Sequence, residues 1–202
     1  FHASSEGELE GLRPLIDALE APKVLTVFSS SAEAAVQKLA GAPGIVTAGL
    51  SPAEGNWSAA LASIKPRRFV TLKYEAWPDL WASLSQQGIG LTIVGAELRS
   101  SLRWGARILK LLGVKLPQIE AIAFTEKRRA INDCVLNAQW KVIPDPRWWR
   151  VATRLATRSE RSKQIGQTLE KLARPIVFLA QVWPAEKVLI EGALAKVRGS
   201  LV

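Results

Sequence analysis

The sequence predicts an α/β fold, a Rossmann-like doubly wound parallel sheet, and three observations carry that expectation. Short apolar runs rich in β-branched residues recur at 23–29 (KVLTVFS), 44–49 (GIVTAG), 67–74 (RRFVTLKY), 89–96 (IGLTIVGA) and 119–125 (IEAIAFT). Helical patterns fall between them, at roughly 8–20, 32–40, 56–64, 77–87 and 98–112. Pro, Gly or polar residues bound each run. Near-continuous apolar runs of this length are how strands covered on both faces read. Alternating them with helices at this spacing builds βαβ units.

In chain order, FHA (1–3) is the tail of a first strand and SSEGE (4–8) the loop leaving it. In such sheets, ligands meet the loops at the carboxyl ends of strands. Residues 1–143 read as one α/β domain. Pro144 and Pro146 then interrupt the pattern, 150–173 is a long polar helical stretch, and 144–173 reads as a connector. RPIVFLAQVWPAEKVLIEGALAKV restarts as strand, loop and helix, so 174–202 reads as the first βα unit of a second, truncated domain. The chain opens on Phe and holds no methionine, which is the look of a segment of a longer protein.

Composition narrows the function classes. The chain has 202 residues and a net charge of +9, distributed unevenly. Residues 1–98 carry 7 basic against 10 acidic side chains, 99–163 carry 15 against 5, and 164–202 carry 5 against 3. A surplus concentrated in the middle points to an anionic partner. No nucleic-acid-binding motif of recognisable form accompanies it, so no nucleic-acid partner is expected. One Cys and one His make a zinc site improbable, and Cys134 in its apolar stretch reads as a buried, inert thiol. No apolar run approaches the roughly 18 residues that cross a bilayer, and no signal peptide is visible.

Four stretches hold residues suited to chemistry. Glu8 follows the first strand at a helix start, where a carboxylate can take a proton from a hydroxyl nucleophile; the plainer reading is that Glu6, Glu8 and Glu10 complement the first helical turn. Glu75 in LKYEAWPDLW (72–81) repeats that placement after another strand, with Pro78 at a first helical position. Arg147 in PDPRWWR (144–150) would steady a departing phosphate, or pack on Trp148 or Trp149. In LRSSLRWGARILKLLGVKL (98–116), Arg99, Arg103, Arg107 and Lys110 recur every three or four residues beside leucines and Trp104. That is either a basic amphipathic membrane-surface helix or an ordinary domain-surface helix.

Read together, FHASSEGELEGLRPLIDAL, KYEAWPDLW, DPRWWRV and RPIVFLAQVWPAE resemble, in order and spacing, the 3-deoxy-D-manno-octulosonic acid (Kdo) transferases of lipopolysaccharide synthesis. The resemblance implies the N-terminal half of a two-domain GT-B-type glycosyltransferase that needs no cofactor and no metal. It implies Glu8 as general base, with Glu75 and Arg147 as the acid and the basic residue of transition-state stabilisation. It also implies substrate contacts at Ser5, Gly7, Arg174, Trp183 and Glu186. The implied donor is CMP-Kdo, and the implied acceptor is a phosphorylated lipid A precursor. The implied location is the cytoplasmic face of the inner membrane, with any anchor preceding Phe1. The basic segment, Arg99, Arg103, Trp104, Arg107 and Lys110, would then face anionic lipid. Pro144, Trp149, Gln181 and Val182 depart from the family pattern. The segment by itself is expected to be inactive. A non-catalytic membrane-surface or lipid A-binding module derived from such an enzyme is the alternative.

Overall fold

The computed structural model describes residues 1–52, 55–73, 77–97, 100–125, 136–157, 160–172, 176–177, 183–194 and 200–201. Cys134, Tyr74, Glu75, Arg99, Arg174, Gln181 and Val182 lie outside the described residues. The chain divides into two compact units, Phe1–Ala152 and Thr153–Val202.

The first unit is the expected doubly wound sheet. Its strands are β1 (His2–Ala3), β2 (Lys23–Val27), β3 (Ile45–Leu50), β4 (Arg68–Leu72), β5 (Gly90–Val94), β6 (Ile119–Ala123) and β7 (Gln139–Val142). They lie in the order β3-β2-β1-β4-β5-β6-β7, and every neighbouring pair is parallel. The chain crosses from β3 to β4 between the two halves of the sheet, so β1 and β4 flank the switch point where crevices open in such folds. Parallel pairing also sends all seven strand exits to one edge.

Two apolar layers hold the sheet. Helices α1 (Glu6–Ala18) and α2 (Glu33–Gln37) cover one face, burying Leu9, Leu12, Ile16 and Val36 against Ala3, Leu25, Val27, Leu72 and Val94. Helices α3 (Trp57–Ile64), α4 (Pro78–Gln86) and α5 (Ser100–Leu111) cover the other, burying Leu61, Trp81, Leu84, Leu102 and Leu109 against Phe69, Leu91, Ile93, Ile119 and Ala121. The spacing of Leu9, Leu12 and Ile16 is the helical stripe that one buried face requires.

On the first face, nearer the strand starts, the apolar layer gives way to a cross-strand polar row. Arg68 donates to both Thr92 and Glu120 at 3.0 Å, and Lys141 pairs with Glu120. The Lys141 hydrogen bond is the largest influence holding Glu120 below its usual pKa, and it outweighs partial burial, which acts the other way. This row explains why QWKV forms a strand without an apolar signature. Lys141 projects onto the polar row, and Trp140 packs partly buried on the opposite face.

Two expectations need correction. Pro146 does not interrupt a regular element but starts one: α6 runs Pro146–Ala156, with Pro at the first position, where no N–H is needed. The helical stretch expected over 150–173 is two helices, α6 and α7 (Glu160–Glu170). The second unit continues with β8 (Ile176–Val177), α8 (Pro184–Leu194) and β9 (Ser200–Leu201), and β8 pairs with β9 in parallel.

Candidate active site

The first strand exit is built around Glu8. Ser5 is the N-cap of α1 in extended geometry (φ −141°, ψ 166°), and its Oγ accepts from the Glu8 N–H at 3.4 Å. The Glu8 carboxylate reaches back and accepts from the Ser4 N–H at 2.7 Å. This is a reciprocal capping arrangement shifted outward by one residue. It holds a half-buried carboxylate at the sheet's carboxyl edge, at the positive end of a helix. Gly7 is part of the helix rather than a flexible turn, and a Cβ there would meet nothing within 4 Å. The space beside Gly7 is open. Glu6 is exposed, whereas Glu10 pairs with Arg150 at 3.2 Å and ties α1 to α6.

Arg147 comes to the same edge from the last strand. Asp145, just before α6, accepts from the Arg147 N–H at 3.0 Å and from its Nε at 2.9 Å, gripping the guanidinium from two residues away. Partial burial pushes the Asp145 carboxyl up, but the Arg147 hydrogen bonds and charge, helped by Lys73, hold it below its ordinary pKa. The guanidinium carbon lies 5.8 Å from the centre of the Phe124 ring. Its stem runs beside α1, where a Cβ on Gly11 would come within 3.8 Å of Arg147 Cγ and Cδ. Gly11 is one helical turn beyond Glu8. Glu8 and the Arg147 stem therefore both lie along the N-terminal half of α1.

The rim holds residues that sequence reasoning missed. Lys73, just after β4, has φ 62°, its N–H donating to Val94 O at 2.8 Å. A left-handed φ at a non-glycine residue marks a backbone held by its surroundings, and the block containing Glu75 follows at once. Asp145 was detectable, because Asp followed by Pro is a helix-start signature. Phe28 and Phe124 were not, because both end apolar runs that look like core.

Of the remaining expected residues, Glu75, Arg99 and Arg174 lie outside the described residues. Trp183 and Glu186 lie in the second unit, where the Trp183 N–H donates to the Glu186 carboxylate at 2.9 Å and caps α8. On α5, Arg103, Trp104, Arg107 and Lys110 are exposed, with Arg107 5.9 Å over the Trp104 ring. Ile108, Leu111 and Leu112 extend that surface, the last two at 84% and 71% exposure. His2 is a core residue. Its ring is buried between Trp57 and Phe69 with Nδ1 3.0 Å from Thr26 Oγ1, and burial lowers its pKa to about 4. Among the described residues, no group of three or more His, Cys, Asp or Glu is placed to hold a metal ion.

A sequence model of the 3-deoxy-D-manno-octulosonic-acid transferase (kdotransferase) family matches residues 1–144, most of the chain. The chain belongs to the Kdo transferase family. No curated protein and no solved structure gives a significant match. Kdo transferases are glycosyltransferases of lipopolysaccharide synthesis, which move a sugar from a donor to a lipid acceptor. The matched span coincides with the seven-stranded sheet and ends just after β7.

Proposed function

We propose that this Kdo transferase chain carries the acceptor-side domain of an enzyme that moves Kdo from CMP-Kdo to a phosphorylated lipid A precursor. The reaction is a direct displacement. Glu8 takes the proton of the acceptor hydroxyl as its oxygen attacks the anomeric carbon, the bond to the CMP phosphate breaks, and CMP leaves with the electron pair. Glu75 and Arg147 stabilise the transition state, and Arg147 offers its charge to the departing phosphate. The supporting observation is the Glu8 carboxylate at the carboxyl edge of the sheet, next to the open side of Gly7, with the Arg147 stem beside Gly11 one turn along α1. Ser5 fixes the helix start, and Gly7 leaves room for the acceptor. Arg174, Trp183 and Glu186 serve the donor.

We assign the exposed α5 surface, together with Arg99, to an anionic membrane, at the cytoplasmic face of the inner membrane where the acceptor resides. Apolar side chains among cationic ones suit a helix lying in the headgroup region. The same surface favours a second reading, a lipid A-binding module without turnover. One experiment separates the two. The intact protein is mixed with CMP-Kdo and lipid A precursor, and Kdo-bearing product with released CMP is followed by mass spectrometry. Transfer supports the enzyme; binding of the precursor without transfer supports the module.

A further inference from the structure

Phe28 is a large apolar side chain left 54% exposed at the carboxyl edge of the sheet. It directly follows β2, and its ring packs on Trp77, at the start of α4, with centroids 4.9 Å apart and planes at 46°. The two rings thus span the exit of β1, which lies between β2 and β4. They are tied to the base through the backbone. The Ser4 N–H holds the Glu8 carboxylate at 2.7 Å, and the Ser4 carbonyl accepts from the Ser29 N–H at 3.1 Å. Ser29, next to Phe28 in the chain, has its Oγ 2.7 Å from Ser31 Oγ, so two hydroxyls follow the exposed ring in the loop.

Resting on the transferase reading above, we propose that Phe28, backed by Trp77, is the platform on which the acceptor's sugar ring stacks, turning its hydroxyl toward Glu8. A pyranose has an apolar face of C–H groups and a polar rim. An exposed aromatic face beside hydroxyls offers both complements, and sites of this type fix orientation with few polar groups. Phe28 is a specificity residue: it sets which face of the acceptor meets Glu8 and does not take part in proton transfer.

The test uses the intact protein as wild type, Phe28→Ala and Phe28→Tyr. Binding is measured by calorimetry with lipid A precursor, with the same precursor stripped of its acyl chains, and with CMP-Kdo, alongside steady-state kinetics. Phe28→Ala should weaken both acceptor forms about three- to tenfold, an aromatic contact's worth. Phe28→Tyr should restore them, and the donor affinity should not move. Unchanged acceptor affinity in Phe28→Ala overturns the proposal. So does a loss confined to the acylated form, which would make the contact a fatty chain, or an equal loss for donor, which would mean general distortion of the rim. If the wild type binds acceptor with this pattern yet transfers nothing, the platform stands and the catalytic reading falls. If the wild type binds neither acceptor form, both fall.

Discussion

Burial of His2 gives the first unit a pH-dependent stability that one substitution can isolate. The ring is 1% exposed, edge-on to Trp57 at 5.4 Å and 5.9 Å from Phe69. Desolvation, because the imidazolium would have to exist among aromatic rings, and secondly the charge of the adjacent N-terminus lower its pKa from 6.5 to about 4. The folded pKa lies below the unfolded one, so the stabilising term is fully present above the unfolded value. It is lost as pH falls from about 6.5 toward about 4, where the unfolded chain binds a proton that the folded chain does not. At 1.36 kcal/mol per unit, the whole term is roughly 3 kcal/mol, of which about 2 kcal/mol disappears between pH 7 and 5. Urea denaturation followed by tryptophan fluorescence at half-unit intervals over that range would measure it. Wild type should lose about 2 kcal/mol more than His2→Leu between pH 7 and 5. Asp145 and Glu120, whose pKa values are depressed, act below this window, since carboxylates held low lose their contribution only as pH falls through their folded pKa. Parallel pH profiles for wild type and His2→Leu would refute the assignment of His2 as a neutral core residue.

Other outcomes follow from single contacts. Gly95, at the exit of β5, has φ +66°, and a Cβ there would fall 2.7 Å from Phe124 Cε2. Gly95→Ala should therefore destabilise by about 2–4 kcal/mol and lower the melting temperature by several degrees, whereas an unchanged melt would contradict the packing of Phe124 beneath Arg147. On α5, charge reversal of Arg103, Arg107 and Lys110 together should weaken binding to phosphatidylserine-containing vesicles. At about 1 kcal/mol per basic side chain, the loss is on the order of a hundredfold or more in a flotation assay, and retained binding would remove α5 from the membrane surface.

The architecture was legible because its signals were local and repeated. Runs such as GLTIV and IEAIA, each followed by a turn and a helical stripe, carry the period change that defines a βαβ unit. The two-residue β1 was readable only by its place before a helix start. Strand β7 is legible only by its place before Pro144, because the polar row on its face replaces the apolar pattern of a doubly covered strand. Pro146 misled because proline both ends helices and begins them, and the preceding Asp145 decides which.

The candidate site was legible to the extent that chemistry was written in residue types near strand exits. Glu8 and Arg147 are charged residues at such exits; Glu8 caps the start of α1, and the Arg147 stem runs beside Gly11 on the same helix. The plainer reading of the first glutamates also has substance, since Glu8 caps the helix and Glu10 binds Arg150. A carboxylate that caps the helix carrying it is also held in place, which a general base requires. Phe28 carried no readable signal: an apolar residue ending a strand is core or platform according to what covers it, and periodicity does not report cover.

Glu8→Gln in the intact protein tests the central claim most directly, with Kdo transfer from CMP-Kdo to lipid A precursor as the readout and acceptor affinity as the control. The amide oxygen can still accept from Ser4, so the cap survives while the basic group is lost. The account predicts transfer reduced about 10²–10⁴-fold with acceptor binding and melting temperature unchanged. Transfer within a few-fold of wild type would contradict it.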